Sequence, residues 1–334
     1  MSRITMEQAS KMKINCALTF DFDAMSVWLT SYKSRNPSMI SRGEFGAIGV
    51  ARILNMLKRY ELPATFFVPG HTALAYPDLV RRMRDEGHEI AHHGWVHENP
   101  ADFDESEERS NLDRGLETLH QTADVTPKGY RSPSWELSYR TIQLLLEYGF
   151  TYDSSLMGAD FTPYYARQND VFNHAKPYSF GPNVDIVELP VSWLMDDFVH
   201  FEYVEGDAHG LSAPSKVQAI WTDEFEYAYE HVPGGLYSLT MHPQVIGRGH
   251  RLMMLEKLIE DFSSRDGVCF TKMIDYATKW RKANPLKEWI ASGAPQATGG
   301  SGRDKFGNWQ RDETGDETVK NTKATVRKSQ ERCK

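Results

Sequence analysis

The sequence predicts an α/β protein in which about seven short, mostly parallel strands alternate with helices in a sheet either open or, as its polar residues favour, closed into a barrel. Two observations carry this expectation. From residue 14 onward, apolar runs of four or five residues alternate with helical stretches, which is the pattern of βαβ units. The polar residues that stand out, Asp21/Asp23, His93/His97, Arg131 and His242, each fall at the C-terminal end of a candidate strand. In a barrel that end carries the chemistry.

The elements follow in order. Residues 16–20 form a buried-strand candidate that ends at the two aspartates. Residues 45–60 carry a helical stripe at Ile48, Ile53, Leu54 and Leu57. Residues 64–68 are the next strand, closed by Pro69-Gly70; a helix over 79–85 stops at Gly87. Residues 88–91 form a short strand leading into the histidines. A charged helix covers 105–122, with Glu105, Glu107 and Glu108 expected as a solvated first turn favoured by the helix dipole. The 129–135 segment and a helix over 139–148 come next. Strands are expected at 186–189, 236–241 and 268–271, with helices at 217–230, 252–263 and 274–283. Residues 1–13 read as a lead-in and 14–285 as one catalytic domain. Residues 286–334 are a polar tail, too poor in apolar side chains to offset its ordering entropy, and are expected to be disordered.

Composition is that of an ordinary folded enzyme. With 334 residues, 40% hydrophobic and 12% aromatic, the chain can bury a large core without staples. The formal charge of −8 argues against nucleic acid or an anionic membrane as main partner, since both select for basic patches. Cys16, Cys269 and Cys333 are scattered, so they form neither a disulfide framework nor a thiolate zinc cage. No apolar run approaches the roughly 18 residues a membrane span needs. The polar opening residues lack a signal-peptide core, which predicts a cytoplasmic location or non-classical secretion.

His93 and His97 stand four apart, the spacing that puts two imidazoles on one side of a helical turn. Asp23 supplies a third ligand and Asp21 a spare carboxylate. Two histidines and a carboxylate with an open position are what a hydrolytic zinc needs, and cobalt, manganese or iron suit the same donors. The spare aspartate suits a general base. His92, His88 and His71 read as structural, and Asp153 as a turn residue before Ser154.

Five segments, in order, carry a resemblance. They are Thr19-Phe20-Asp21-Phe22-Asp23, His93-Gly94-Trp95-Val96-His97-Glu98-Asn99-Pro100, Arg131-Ser132-Pro133-Ser134-Trp135, Trp193-Leu194-Met195-Asp196-Asp197 and Leu239-Thr240-Met241-His242-Pro243. Over residues 14–283 the chain resembles the NodB-homology polysaccharide deacetylases of the carbohydrate esterase family 4 superfamily. Phe22 splits the family's usual Asp-Asp pair, and an insert over 28–46 containing Ile40-Ser41-Arg42-Gly43 follows it. With Tyr152-Asp153-Ser154-Ser155-Leu156-Met157 and Asp160-Phe161-Thr162-Pro163-Tyr164-Tyr165, these features resemble the subgroup of peptidoglycan deacetylases and cyclic-imide and allantoin hydrolases.

The resemblance implies a distorted barrel of the NodB-homology type and a set of roles. Asp23, His93 and His97 hold the metal, and Asp21 is the base with Arg131 beside it to favour its charged form. A backbone N–H of the third motif, with Ser134 the candidate, faces the developing oxyanion. Trp135, Trp193 and Tyr164 either stack on a sugar ring or fill core. His242 protonates the leaving nitrogen and needs a carboxylate to hold its tautomer. Asp196 and Asp197 are both near enough in sequence, and counting from Trp193 in the fourth motif favours Asp196. The implied substrate is an N-acetylglucosamine unit of chitin oligomers or peptidoglycan. A small cyclic amide is the alternative, and an inactive glycan-binding protein a third reading. The subgroup also implies a homo-oligomer.

Overall fold

The computed structural model describes residues 13–206 and 210–293. The lead-in up to residue 12 and the tail from 294 lie outside the described residues. In chain order the strands are β1 (Ile14–Asp21), β2 (Thr65–Val68), β3 (Glu89–His92), β4 (Gly129–Tyr130), β5 (Tyr152–Asp153), β6 (Tyr164–Arg167), β7 (Val171–Asn173), β8 (Lys176–Ser179), β9 (Asn183–Glu188), β10 (Gly235–Met241) and β11 (Val268–Phe270). The helices are α1 (Ser26–Thr30), α2 (Pro37–Tyr60), α3 (Gly70–Ala75), α4 (Pro77–Asp85), α5 (Glu105–Ala123), α6 (Thr141–Glu147), α7 (Asp197–Phe201), α8 (Pro214–His231), α9 (Pro243–Ile246), α10 (Gly249–Ser263), α11 (Met273–Ala283) and α12 (Leu286–Ala291). No helix among the described residues is long and apolar enough to cross a membrane.

Seven strands lie side by side in the order β10-β1-β2-β3-β4-β5-β9, every neighbouring pair parallel. The sheet gains β6, antiparallel on β9, and β11, which pairs with the first residues of β1. β1 is buried along its whole length, as a parallel strand covered on both faces must be. Among the described residues no strand pairing between β6 and β10 closes the ring. The gap is bridged by irregular chain instead: the Leu236 N–H donates to the Phe161 carbonyl at 2.8 Å, and Asp196 pairs with Thr240. The result is a curled half-barrel whose C-terminal strand ends face one mouth. The hairpin β7–β8 stands apart with every residue exposed.

Several elements depart from the sequence expectation. α2 begins eight residues before the expected start, inside the insert. The Asn36 side chain accepts from the Ser38 N–H and Pro37 sits at the first helical position, a conventional start that Gly43, Gly46 and Gly49 conceal by weakening the helical pattern. Glu108 is buried rather than solvated; its carboxylate accepts from Ser138 Oγ (2.7 Å) and Thr141 Oγ1 (2.6 Å) and ties α5 to the start of α6. Asp104 and Glu107 form the capping box of α5. The boundary expected at 285 also falls short: α12 continues the fold, with Trp289 buried against Tyr165 and Trp280.

The three glycines of α2 explain how the helix reaches the barrel mouth. A Cβ on Gly43 would stand 2.3 Å from the Ala24 carbonyl oxygen, and one on Gly49 only 2.0 Å from that of Pro243. The bare face of α2 therefore lies directly on two turns, one just after Asp23 and one just after His242. Gly49→Ala is expected to destabilise the fold by about 1–3 kcal/mol through overpacking, outweighing the roughly 1 kcal/mol that alanine gains over glycine in a helix. Gly249→Ala, with nothing within 4 Å of its Cβ, should be neutral or slightly stabilising. Denaturant unfolding of the two variants checks the contrast.

Candidate active site

β1 delivers both aspartates. In extended chain alternate side chains share a face, so the Asp-Phe-Asp order sends Asp21 and Asp23 toward the mouth and Phe22 into the core beside Tyr76. The Asp23 carbonyl accepts from the Ser26 N–H (3.0 Å), Ser26 Oγ (2.6 Å) and Thr72 Oγ1 (2.7 Å), which pins the residue's backbone.

The histidines do not sit on a helical turn, as their spacing suggests. Residues 93–98 form an irregular loop in which Gly94 (φ 73°) and His97 (φ 62°) are left-handed. The Glu98 carboxylate holds that loop by accepting the N–H of Trp95 (2.8 Å) and of Val96 (2.6 Å). The three residues between the two histidines are thus spanned by a turn wrapped on a carboxylate.

The loop brings His93 Nε2 to 3.4 Å from Asp23 Oδ1, and His97 Nε2 to 3.7 Å from Asp23 Oδ2. His93 Nδ1 lies 2.7 Å from the Arg131 carbonyl. A carbonyl only accepts, so Nδ1 carries the proton and Nε2 keeps its lone pair. Both Asp23 carboxylate oxygens and His93 Nε2 are buried with no hydrogen-bond partner. Buried polar atoms are ordinarily satisfied, so a convergent set of bare acceptors is a nest built for a cation, and the donor set fits a divalent metal. Burial pushes the Asp23 carboxyl up, but His97, His93 and His242 around it bring it down to about 2. Burial lowers His97 to about 4, the neutral state a ligand needs.

Arg131 stands beside the nest with no exposed surface. Its guanidinium donates to Asp21 Oδ1 (2.7 Å), Thr19 Oγ1 (2.9 Å), and the Ser154 carbonyl (3.2 Å) and hydroxyl (3.1 Å), and lies over the Phe67 ring. Asp21 is thereby fixed with its second oxygen 3.9 Å from His93 Nε2. A carboxylate held this way can take a proton from a water at the nest.

Across the mouth is His242, whose Nε2 points at Asp23 Oδ2 from 3.7 Å. The carboxylate that meets its Nδ1 is Asp197, at 2.7 Å, not the expected Asp196, which lies 4.0 Å away. Asp197 also accepts the His242 backbone N–H (3.0 Å), whereas Asp196 caps α7 by accepting from the Phe198 N–H (2.6 Å) and lines the pocket. The N-cap turn decides this: Asp196 is consumed at the helix start, and the next side chain is the one directed at β10. Burial disfavours the His242 imidazolium, but Asp196 and Asp197 overcome it and raise its pKa well above the ordinary value. Burial, with the neighbouring Asp197 carboxylate, lifts Asp196 to about 7.

Asp21, Asp23, His93, His97, Asp196 and His242 line a cavity of about 410 Å³ together with Val27, with Ser31 and Tyr32 of the insert, and with Ser134, Trp135, Trp193 and Phe198. Ser134 (φ 52°) and Trp135 (φ 57°) are both left-handed, a conformation that costs free energy in residues other than glycine and clusters at functional sites. Trp135 and Trp193 pack ring to ring at 4.2 Å, with Trp193 half exposed at the rim. Tyr164 is buried away from the cavity and donates toward no site group; its hydroxyl accepts from the Gly158 N–H.

Two residues around the site, one buried behind it and one in its wall, were misread or missed. Asp153 is no turn residue; it ends β5, fully buried, against an equally buried Glu188. Ser155 Oγ donates to Asp153 Oδ1 (2.7 Å) and accepts from the Ser132 N–H (2.9 Å), so the pair braces the loop that leads to Ser134. Ser31, in the insert, contacts His97. The tandem serines of Tyr152-Asp153-Ser154-Ser155 were the only sequence signal for the first; nothing in the sequence marked the second.

A half-barrel with a nest of bare acceptors, an arginine-held carboxylate and a carboxylate-held imidazole at one mouth is the arrangement of a hydrolase site. Comparison with known proteins agrees. Residues 43–152 match the Polysaccharide deacetylase family. The chain is 36% identical over 290 residues to the peptidoglycan deacetylase of Helicobacter pylori, covering 83% of this chain and 99% of that protein. A solved structure of a provisionally named polysaccharide deacetylase from Mycobacterium smegmatis superposes with a TM-score of 0.72 at 36% identity, over 82% of this chain and 92% of that one. The Puue allantoinase structure, 24% identical with a TM-score of 0.69 over 84% of this chain and 94% of that one, shares the fold. The chain belongs to the polysaccharide deacetylase family, of the NodB and carbohydrate esterase 4 type.

The Asp153–Glu188 pair makes a stability prediction. Burial, which outweighs the hydrogen bonds from Ser155, raises the Asp153 carboxyl to about 6, above an unfolded value near 4. Its contribution to stability is therefore fully present below about pH 4 and lost as pH rises through about 6. Asp153→Asn keeps an acceptor for Ser155 and offers Glu188 a donor without a second charge. Thermal melts are expected to show the variant gaining on the wild type between pH 4 and pH 7; a constant difference across that range removes the raised Asp153 carboxyl as the cause.

Proposed function

We propose that this chain hydrolyses the N-acetyl amide of N-acetylated sugar units in peptidoglycan, using a divalent metal held by Asp23, His93 and His97. The observation that carries the reading is the convergence of Asp23 and His93 as bare acceptors between a fixed base and a carboxylate-held imidazole. The extent of the match to the Helicobacter pylori protein supports peptidoglycan over chitin oligomers as the glycan. Zinc is the first choice of ion, with cobalt, manganese and iron fitting the same donors.

A divalent ion held by Asp23, His93 and His97 would supply Lewis acidity for the acetyl carbonyl and make nearby water more acidic. Asp21, oriented by Arg131, accepts the proton that the attacking water gives up. The Ser134 N–H at the pocket wall faces the carbonyl oxygen as it gains charge. His242 then donates a proton to the departing amine nitrogen, because an amide anion is too basic to leave. Asp197 holds the tautomer of His242 and stabilises its charged form before the transfer. Acetate and a free amine result. The exposed Trp193 face, backed by Trp135, offers a platform for a sugar ring.

A small cyclic amide is the second reading, favoured by the aromatic walls and modest volume of the cavity. Purified chain loaded with Zn²⁺ is expected to release acetate from peptidoglycan fragments, more slowly from chitin oligomers, and to leave cyclic imides and allantoin intact. Ring opening without acetate release would replace the first reading by the second, and glycan binding without either reaction would leave a binding protein. Asp21→Asn is expected to retain metal and lose turnover by about 10²–10⁴-fold, while His93→Ala loses both.

His242 also sets a pH limit. Since Asp197 helps raise its pKa, Asp197→Asn should move the alkaline limb of the kcat/KM profile to lower pH. An alkaline limb that stays in place in that variant excludes His242 as the acid.

A further inference from the structure

Ser31 lies just past α1 in the insert. Its Oγ stands 2.8 Å from His97 Nδ1 and 3.3 Å from the His97 carbonyl oxygen. The carbonyl can only accept, so the hydroxyl proton goes to it, and the shorter contact is an Nδ1–H donating to Oγ. His97 Nε2 is then left with its lone pair, on the side of Asp23. One hydroxyl thus holds both the ring and the main chain of a residue whose φ of 62° is unfavourable for any side chain.

We propose that Ser31 is a positioning residue of the metal centre, fixing His97 as the Nδ1–H tautomer and setting how tightly the ion is held. His93 has the same arrangement by other means: its Nδ1 proton goes to the Arg131 main-chain carbonyl, which no side-chain replacement removes. Ser31 is the replaceable half of the pair. Its mount is rigid. The Ser31 N–H donates to the Val27 carbonyl (3.1 Å), Trp28 of the same segment is fully buried, and Arg42 of α2 covers its ring. The inference rests on the metal reading of the proposed function, because only an ion gives the freed Nε2 a purpose. Partners that orient metal-bound histidines typically carry 10–100-fold of affinity. Ser31 faces the open cavity, where water can take up the Nδ1 proton without fixing the ring, so the lower end of that range applies.

The test uses the full chain stripped of metal and titrated with Zn²⁺ against a chromophoric chelator, for the wild type, Ser31→Ala, Ser31→Thr and His97→Ala. Ser31→Ala is expected to bind Zn²⁺ about tenfold more weakly, with kcat restored at saturating metal and an unchanged melting temperature when metal-free. Ser31→Thr, which keeps the hydroxyl, should return most of the affinity, and the visible spectrum of the Co²⁺ form should shift in Ser31→Ala alone of these two. Affinity within about twofold of wild type in Ser31→Ala overturns the role of Ser31 and leaves the metal centre standing. A wild-type chain that binds no Zn²⁺, or binds it equally in His97→Ala, overturns the metal reading and this inference with it.

Discussion

A fully buried guanidinium is the constraint around which this site is arranged. Removing Arg131 from water is costly unless every donor finds a partner and the charge finds a counter-ion. Asp21, Thr19 and Ser154 meet those demands from β1 and from the chain just after β5, and Phe67 of β2 packs beneath. One side chain thereby ties β1, β2 and β5 to the end of β4. The same residue's carbonyl receives the His93 Nδ1 proton, so Asp21 and His93, the proposed base and ligand, are fixed from a single position. A shift in Arg131 would move both, and would leave a buried charge without its partners.

The opposite wall is set by close approach. α2 has no side chain where it crosses the turns after Asp23 and before α9, and it can touch their carbonyl groups directly. That contact places the Asp23 and His242 turns on one rigid rod. Around them the backbone is bent into left-handed conformations at Ala24, His97, Ser134 and Trp135. Each is unfavourable alone and is held by a specific tie: the Glu98 carboxylate and Ser31 for His97, Ser155 and Asp153 for the loop approaching Ser134. The strain sits where side chains must converge, and its restraints come from buried polar groups behind them.

The order of strands and helices was legible because apolar runs and periodic stretches announce themselves locally. Six of the seven parallel strands, all but the two-residue β5, and the grouping of Asp21, Asp23, His93, Arg131 and His242 at one end follow from that order. Other features were not legible, each for a physical reason. The start of α2 is hidden because its glycines serve backbone contacts that are distant in sequence. β6 and the hairpin β7–β8 are short and half polar, so alternation is too brief to detect. The choice between Asp196 and Asp197 depends on which of two adjacent carboxylates the N-cap of α7 consumes, a matter of one dihedral turn that no spacing reveals.

The split aspartate pair and the insert after it turn out to be one structural device. With Phe22 between them, the two carboxylates project together from extended chain while Phe22 anchors the strand end in the core. The chain must then turn sharply, and Ala24 (φ 49°) makes that turn under the bare surface of Gly43. The turn leads into α1, whose end carries Ser31 and Tyr32 to the cavity, and onward to α2, which supplies Gly43 itself. The insert thus supports the Asp23 turn it follows. It also adds Ser31 and Tyr32, beside Val27, to one wall of the pocket, so the segment that steadies Asp23 is the same one that shapes what can reach it.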